Sequence, residues 1–213
     1  MFARATFPKS RDDLIMRRLW LALCLATLSG CAATRPGVDL PELSTWERRL
    51  EVLGEATDWE FKGRIAVKAG DEGFNGKLNW TQTGDDFYVT IGGPLGIGTV
   101  TIEGNDHSVT LTDKDGLTTV LLDPEVELFN RYGWTIPVAS LRYWALGIPD
   151  PSIAAEPELD GSGRLVNLEQ GNWSVNISRY RENAGQQMPR LLTATNSDTR
   201  VRLVIDKWVF FER

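Results

Sequence analysis

The feature that most constrains this chain is a long series of short segments in which apolar and polar residues alternate. In residues 59–67, for example, the apolar Trp59, Phe61 and Ile65 are separated by charged side chains. A period of two is typical of a β-strand with one face on an apolar interior and one on water. Similar segments continue to about residue 122 and resume near residue 165, with turns too short for crossover connections. The pattern predicts a mostly β fold, an antiparallel meander of about ten strands that curls on itself.

Helices are predicted where this alternation is interrupted. Residues 44–47 read Ser-Thr-Trp-Glu, a capping box that predicts a helix start, and apolar residues continue at helical spacing to Leu53. In the middle of the chain, Asp123 followed by proline predicts a second helix, which ends at Gly133. A third helix is expected over about residues 138–146, followed by an acidic loop over 150–163. Helices that cover the open side of a curled sheet would close it into a cavity.

The N-terminus predicts export and lipidation. Two arginines precede an apolar stretch, residues 19–28, that is too short to span a bilayer as a stable anchor. It ends in Leu-Ser-Gly-Cys at 28–31, the pattern at which bacterial lipoproteins are cleaved and acylated. The alternative is an ordinary export signal or a short membrane helix that happens to end in cysteine. We expect diacylglyceryl and N-acyl groups on Cys31.

The domain organisation follows from this cleavage. We expect a signal peptide over residues 1–30 with the true start at Met16, a lipidated tether over 31–43 and a single domain over 44–213. The only other cysteine lies inside the signal, so the mature chain has none left for a disulfide.

Charge and motifs exclude several classes of function. The formal net charge is −6, the removed segment is basic on balance, and no basic stripe is visible along the chain. This argues against nucleic acid and against polybasic docking on anionic lipid. The single histidine, His107, lies at an expected turn, and neither Gly-x-Ser-x-Gly nor His-Glu-x-x-His occurs. We therefore expect no catalytic residues, no metal site and no enzymatic activity.

Two further features admit two interpretations each. Residues 92–98 are glycine-rich but lead into a β-like segment, which disfavours a phosphate-binding loop. Leu95 is then either a hairpin-tip residue that packs on the core, which spacing alone favours, or an exposed apolar group that touches lipid or a partner. The abundant tryptophans either fill a bulky core or line a cavity for a flexible apolar ligand.

Six short stretches carry a resemblance to a known family, and their order and spacing make it specific. They lie at 80–84, 93–96, 136–137, 141–149, 173–175 and 201–208. From the lipidation motif to the C-terminus, the chain resembles the LolB family of outer-membrane lipoproteins. The resemblance implies an incomplete, curved antiparallel β-barrel of about 10–11 strands with a helical lid over an apolar cavity.

The resemblance also implies roles for individual residues. Leu95 corresponds to a protruding apolar residue, which reverses the preference drawn from spacing, so Pro94, Leu95, Gly96 and Ile97 are expected to form a membrane-insertion loop. The acyl-cavity residues are expected to be Trp46, Trp80, Trp144, Trp173 and Trp208.

The implied function is transport without catalysis. A LolB-like protein accepts client lipoproteins, through their acyl chains, from a periplasmic carrier resembling LolA and inserts them into the outer membrane. It is expected to act as a monomer, anchored in the outer membrane by lipid and facing the periplasm, with no cofactor besides the lipid on Cys31. The alternatives are a lipid-anchored carrier of free lipids or glycolipids with the same cavity, and a structural envelope-assembly lipoprotein with a solid core.

Overall fold

The computed structural model describes residues 35–93, 99–105 and 107–212. One compact unit, Pro36–Arg213, contains every described helix and strand and the whole described core, so it holds what an independently folding domain needs. The predicted lipidation residue Cys31 lies outside the described residues, and so do Pro94, Leu95, Gly96 and Ile97 of the predicted insertion loop. Their roles stay predictions.

The described strands form one antiparallel sheet of 11 strands. The order is β6-β5-β4-β3-β2-β1-β11-β10-β9-β8-β7, so β6 and β7 are two free edges and the sheet does not close into a barrel. This confirms the predicted open, mostly β architecture. The strands are β1 (Asp58–Ala69), β2 (Glu72–Thr83), β3 (Asp86–Gly92), β4 (Thr99–Gly104), β5 (Val109–Thr112), β6 (Thr118–Leu121), β7 (Ala155–Leu159), β8 (Leu165–Gln170), β9 (Trp173–Asn183), β10 (Gln186–Thr195) and β11 (Arg200–Phe210).

Three helices are described: α1 (Trp46–Gly54), α2 (Pro124–Tyr132) and α3 (Val138–Leu146). Along the chain, α2 and α3 connect the two edge strands, as expected of helices that cover an open side. Asp123 caps α2 and Gly133, with φ 73°, ends it as predicted. The cap of α1 is Thr45 rather than Ser44, because the Thr45 hydroxyl accepts from the Arg48 N–H. Among the described residues, none of the three helices has the length and hydrophobicity of a membrane-spanning helix.

The second half of the predicted tether packs on the sheet. The Val38 N–H donates to the Phe210 carbonyl at 2.8 Å, and the Leu40 N–H donates to the Ala184 carbonyl at 2.9 Å. Leu43 is buried, with 5% of its surface exposed. Residues 38–43 are therefore part of the folded unit, because paired backbone and a buried leucine hold them against β10 and β11.

The predicted acidic loop at 150–163 contains a strand, which corrects the sequence interpretation. Strand β7 pairs with β8 in an antiparallel register, for example Glu156 opposite Glu169. Four of its five residues are exposed, so no buried face leaves a period-two signal in the sequence. Backbone pairing alone, at the edge of the sheet, defines this strand.

The sheet buries only one of its faces. In β1, Trp59, Phe61 and Ile65 are at most 2% exposed, whereas Lys62 and Arg64 face water. The buried face of the sheet and the apolar sides of the helices form one continuous core. The sheet thus has an apolar inner face beneath the helices and a polar outer face.

Candidate functional site

A cluster of aromatic side chains occupies the middle of the inner face. It is formed by strands β1, β2 and β11, and its ring centroids are 5.0 to 6.0 Å apart. Such separations are typical of attractive aromatic contacts. The members are Trp59, Phe61, Trp80, Trp208 and Phe210. The structure brings the predicted cavity residues Trp80 and Trp208 into this cluster, together with Trp59, which was not among the predicted set.

The other predicted cavity residues lie elsewhere. Trp144 on α3 and Trp173 on β9 form a separate pair with ring centroids 6.1 Å apart. Trp46 on α1 is only half-buried, although it packs against the core. The five predicted tryptophans are thus divided among three places, and their contact with an acyl chain stays a prediction.

A cleft of about 860 Å³ lies between the two lid-side helices, α2 and α3, and the ends of β3 to β5. Its volume falls within the ~300–1,000 Å³ range of small-molecule sites. The wall has apolar side chains, with Arg142 and three carboxylates among them. The apolar lining residues are Phe87, Val109, Pro124, Val126, Val138, Ala139, Tyr143 and Pro151. None of the predicted cavity tryptophans is among the lining residues, although Phe87 of the lining lies 5.9 Å from Trp80, ring centroid to ring centroid, so the cleft borders the aromatic cluster.

Helix α3 is held firmly at the bottom of this cleft by the buried side chain of Gln170. Its Oε1 accepts from Trp144 Nε1 at 2.8 Å and from the Asp150 N–H at 3.0 Å. Its Nε2 donates to the carbonyls of Asp150 and Ile153 at 2.8 and 2.9 Å. The Ser140 hydroxyl also donates to the Asp150 carboxylate at 2.9 Å. These bonds fix α3 and the loop that follows it to β8.

Helix α2 is held much less firmly. Leu128 is its buried contact, at 1% exposed, whereas Val126 and Phe129 are 52% and 44% exposed. An exposed bond from Arg131 to the Thr119 hydroxyl, 3.0 Å long, links the helix to edge strand β6. Few buried contacts and exposed hydrogen bonds are the marks of a segment that opens at low cost.

A carboxyl group, that of Glu125, lies where α2 approaches Trp173 of the separate tryptophan pair. Burial raises the pKa of Glu125, and the nearby Trp173 indole offsets part of this rise. The Trp173 Nε1–H is itself buried, and within the described residues no acceptor meets hydrogen-bond geometry. The underside of α2 therefore carries a carboxyl that burial pushes toward its neutral form and that a buried indole N–H draws back toward its charged form.

A buried arginine that sequence reasoning missed attaches α1 to the sheet. Arg49 is 2% exposed and donates to the Gln187 carbonyl at 2.7 Å. Its guanidinium carbon lies 5.7 Å from the Tyr180 ring, and burial lowers the pKa of Arg49 while raising that of Tyr180. The sequence did contain a signal for its burial, because residue 49 shares a helical face with the apolar Trp46 and Leu53.

The fold resembles those of two solved proteins. A LolA superfamily protein from Nitrosomonas europaea aligns with a TM-score of 0.51 over 79% of this chain and 94% of its own. A DUF1329 family protein from Desulfovibrio piger gives 0.52 over 78% and 90%. Both are 8% identical in sequence, so they are evidence for the fold alone.

Sequence comparison shows the family. The family model for outer membrane lipoprotein LolB matches residues 57–208. The outer-membrane lipoprotein LolB of Nitrosococcus oceani is 36% identical over 190 residues, covering 88% of this chain and 94% of the relative. Those of Pseudomonas aeruginosa and Aeromonas hydrophila are 32% and 30% identical over about nine-tenths of this chain. The chain belongs to the LolB family of outer-membrane lipoproteins, whose role is lipoprotein sorting.

Proposed function

We propose that this protein receives lipoproteins from a soluble periplasmic carrier, shelters their acyl chains and inserts them into the outer membrane. The single observation that carries the proposal is a loosely held helix, α2, over the apolar inner face of an open sheet. Membership of the LolB family supports a sorting role on independent grounds.

The energetics of transfer explain why an apolar shelter is required. A client with three acyl chains exposes about 40 methylene groups, which at about 0.8 kcal/mol each amounts to roughly 30 kcal/mol. A lipoprotein free in water is therefore not an accessible intermediate. The chains must pass directly from one apolar site to another, so the carrier and this protein meet with their openings facing each other.

The described helices suggest where the acyl chains enter. The cleft under α2 has space for a small apolar ligand, but several chains need more volume than it offers. Moving α2 away would expose the core surface against which Leu128 packs, and would open a path for acyl chains to the aromatic cluster. Because Gln170 holds α3 in place, α2 together with edge strand β6 would open while the rest of the lid stays fixed.

Affinity sets the direction of transfer in this scheme. The sequence shows no nucleotide-binding motif, so the acceptor must hold acyl chains more tightly than the carrier does. Release into the bilayer would then fall to the predicted insertion loop around Leu95, with the lipid on Cys31 keeping the protein at the membrane.

A transfer experiment in solution tests the proposal. An acylated client held by its soluble carrier is mixed with the purified domain that begins at Ala32, and the complexes are separated by size. We expect the client to move onto this protein. A client that stays on the carrier, under conditions where the carrier delivers to membranes containing a known LolB, would contradict the proposal.

The close packing of the inner aromatic cluster favours one alternative, a structural envelope lipoprotein with a solid core. A fluorescent fatty-acid probe distinguishes the two. Probe binding that quenches tryptophan emission supports the acceptor function. Tryptophan emission that does not change as the probe is added supports the structural function.

A further inference from the structure

The outer face of the sheet carries a groove that the acyl-chain proposal does not use. It has a volume of about 580 Å³ and lies on the opposite face from the aromatic cluster. Ala66 and Val204 are among the residues that line it. The remaining lining includes five cationic side chains and no carboxylate. The cations are Arg64, Lys77, Arg179, Arg190 and Arg202.

This charge corrects the sequence interpretation that no basic stripe exists. The five cations come from β1, β2, β9, β10 and β11, which are far apart along the chain. The sheet order places these strands side by side, so their outward side chains meet. A stripe that runs across strands leaves no cluster in the linear sequence.

Cation pairs that repel each other persist on this face. Arg64 lies directly opposite Lys77 in the register of β1 and β2. Between β1 and β11, Lys62 and Lys68 are likewise paired with cations, Lys207 and Arg200. Directly opposed like charges destabilise a sheet, and the chain as a whole has a net charge of −6. Fold stability therefore does not account for the arrangement.

Neutralisation within the protein is incomplete. The Asp206 carboxylate is shared by Arg64 at 3.2 Å and Arg190 at 3.1 Å. In the ranges that the structure describes, Lys77, Arg179 and Arg202 make no ion pair. The groove thus keeps an excess of positive charge that an external anion can satisfy.

We propose that this groove docks on the phosphate groups of anionic phospholipids at the membrane surface. The lining residues span six neighbouring strands, from Gly93 beside β3 to Arg179 on β9, or about 24 Å at ~4.8 Å per strand. A strip of this length matches a surface with many phosphates rather than one small anion.

This inference rests on the proposed function, because it requires a protein that works at a membrane. Docking would orient the domain while α2, on the other side of the sheet, stays accessible to the carrier. Near an anionic surface each cation strengthens partitioning about fivefold, so three together contribute about a hundredfold at low salt.

The test measures vesicle binding by the chain from Ala32, prepared without lipid. The groove variant combines Lys77→Gln, Arg179→Gln and Arg202→Gln. Its matched control removes the same charge elsewhere, with Arg35→Gln just before the folded unit, Arg48→Gln on α1 and Lys114→Gln in the β5–β6 turn. Vesicles contain phosphatidylcholine with or without phosphatidylglycerol.

We expect the groove variant to lose about a hundredfold in affinity for the anionic vesicles, and the control to stay within about twofold. Equal binding by the groove variant, or an equal loss in the control, overturns the proposal. A groove variant that keeps vesicle binding but no longer takes clients from the carrier also overturns it, in favour of an acidic protein partner.

Two further measurements keep the result interpretable. The groove variant should unfold at the same or a higher temperature, because Lys77→Gln removes a repulsion with Arg64. It should also bind the fatty-acid probe as the unchanged domain does. If no variant binds the probe, the acceptor function fails while the vesicle result still decides the groove.

Discussion

Replacing Gln170 with methionine should destabilise the domain more than any exposed substitution. Methionine has a similar length and shape but no amide, so the change removes hydrogen bonds with little change in packing volume. Four hydrogen bonds are lost, two accepted by Oε1 and two donated by Nε2, with lengths from 2.8 to 3.0 Å. Three of them are buried, and the bond to the Ile153 carbonyl is partly buried. Of the four partner groups, the Asp150 carbonyl still accepts from the Ile153 N–H at 3.4 Å, whereas Trp144 Nε1–H, the Asp150 N–H and the Ile153 carbonyl lose the group that satisfied them.

The magnitude follows from the three groups that lose their partner. A buried polar group without a partner costs about 1–3 kcal/mol, so three of them cost at least ~3 kcal/mol before relaxation. Water that reaches the less buried Ile153 carbonyl would recover part of this cost. A loss of about 2–3 kcal/mol is a large share of the ~5–15 kcal/mol by which domains are usually stable.

Urea unfolding followed by tryptophan emission measures this loss. Asn176→Ala is the matched control, because this amide also makes two hydrogen bonds, to Val166 and Asn167, but is exposed. We expect the control to stay within ~0.5 kcal/mol of the unchanged domain. A Gln170→Met variant that loses less than ~1 kcal/mol would refute the view that this side chain fixes α3.

Three other predictions concern the moving parts. Leu95→Glu should leave the unfolding temperature unchanged and abolish delivery of clients to membranes; normal delivery would return Leu95 to a packing role. Glu125→Gln should stabilise the domain at neutral pH, because burial raises the pKa of Glu125 and the folded state therefore favours the neutral carboxyl, whose contribution to stability is lost as pH rises through the raised pKa. The difference in unfolding midpoint between the two proteins should vanish in acid, where Glu125 is neutral, and a difference that does not change with pH would exclude the carboxyl as its cause. Amides in Pro124–Tyr132 should exchange with deuterium faster than those in Val138–Leu146, and equal rates would argue against α2 as the part that opens.

Most of the sheet could be predicted from sequence because burial of one face imposes a period of two. Strands β1 to β3 follow this pattern directly, as Trp59 and Phe61 show. The edge strand β7 could not be found in this way, since nearly all its side chains are exposed. Its position depends on backbone pairing with β8, which no side-chain pattern records.

The candidate site was less predictable because its parts meet only through tertiary structure. Gln170 reads in the sequence as an ordinary polar residue at a strand end, yet its partners come from α3 and the loop after it. The tryptophans were recognisable as important, but their division into an inner cluster and a separate pair depends on helix placement. Propensity and spacing describe neighbours along the chain, and these contacts join residues that are distant in sequence.

The same alternation that defines the strands also separates the two surfaces on which the proposals depend. Along β1, Phe61 and Ile65 point to the inner face, while Lys62 and Arg64 point to the outer face. A single strand can therefore supply hydrocarbon contacts on one side of the sheet and phosphate contacts on the other. Because the faces are independent, loss of outer cations should alter membrane docking without altering acyl binding, and changes in the aromatic cluster should do the reverse. A variant of one face that impaired membrane docking and acyl binding equally would mean that the two faces of the sheet do not act independently.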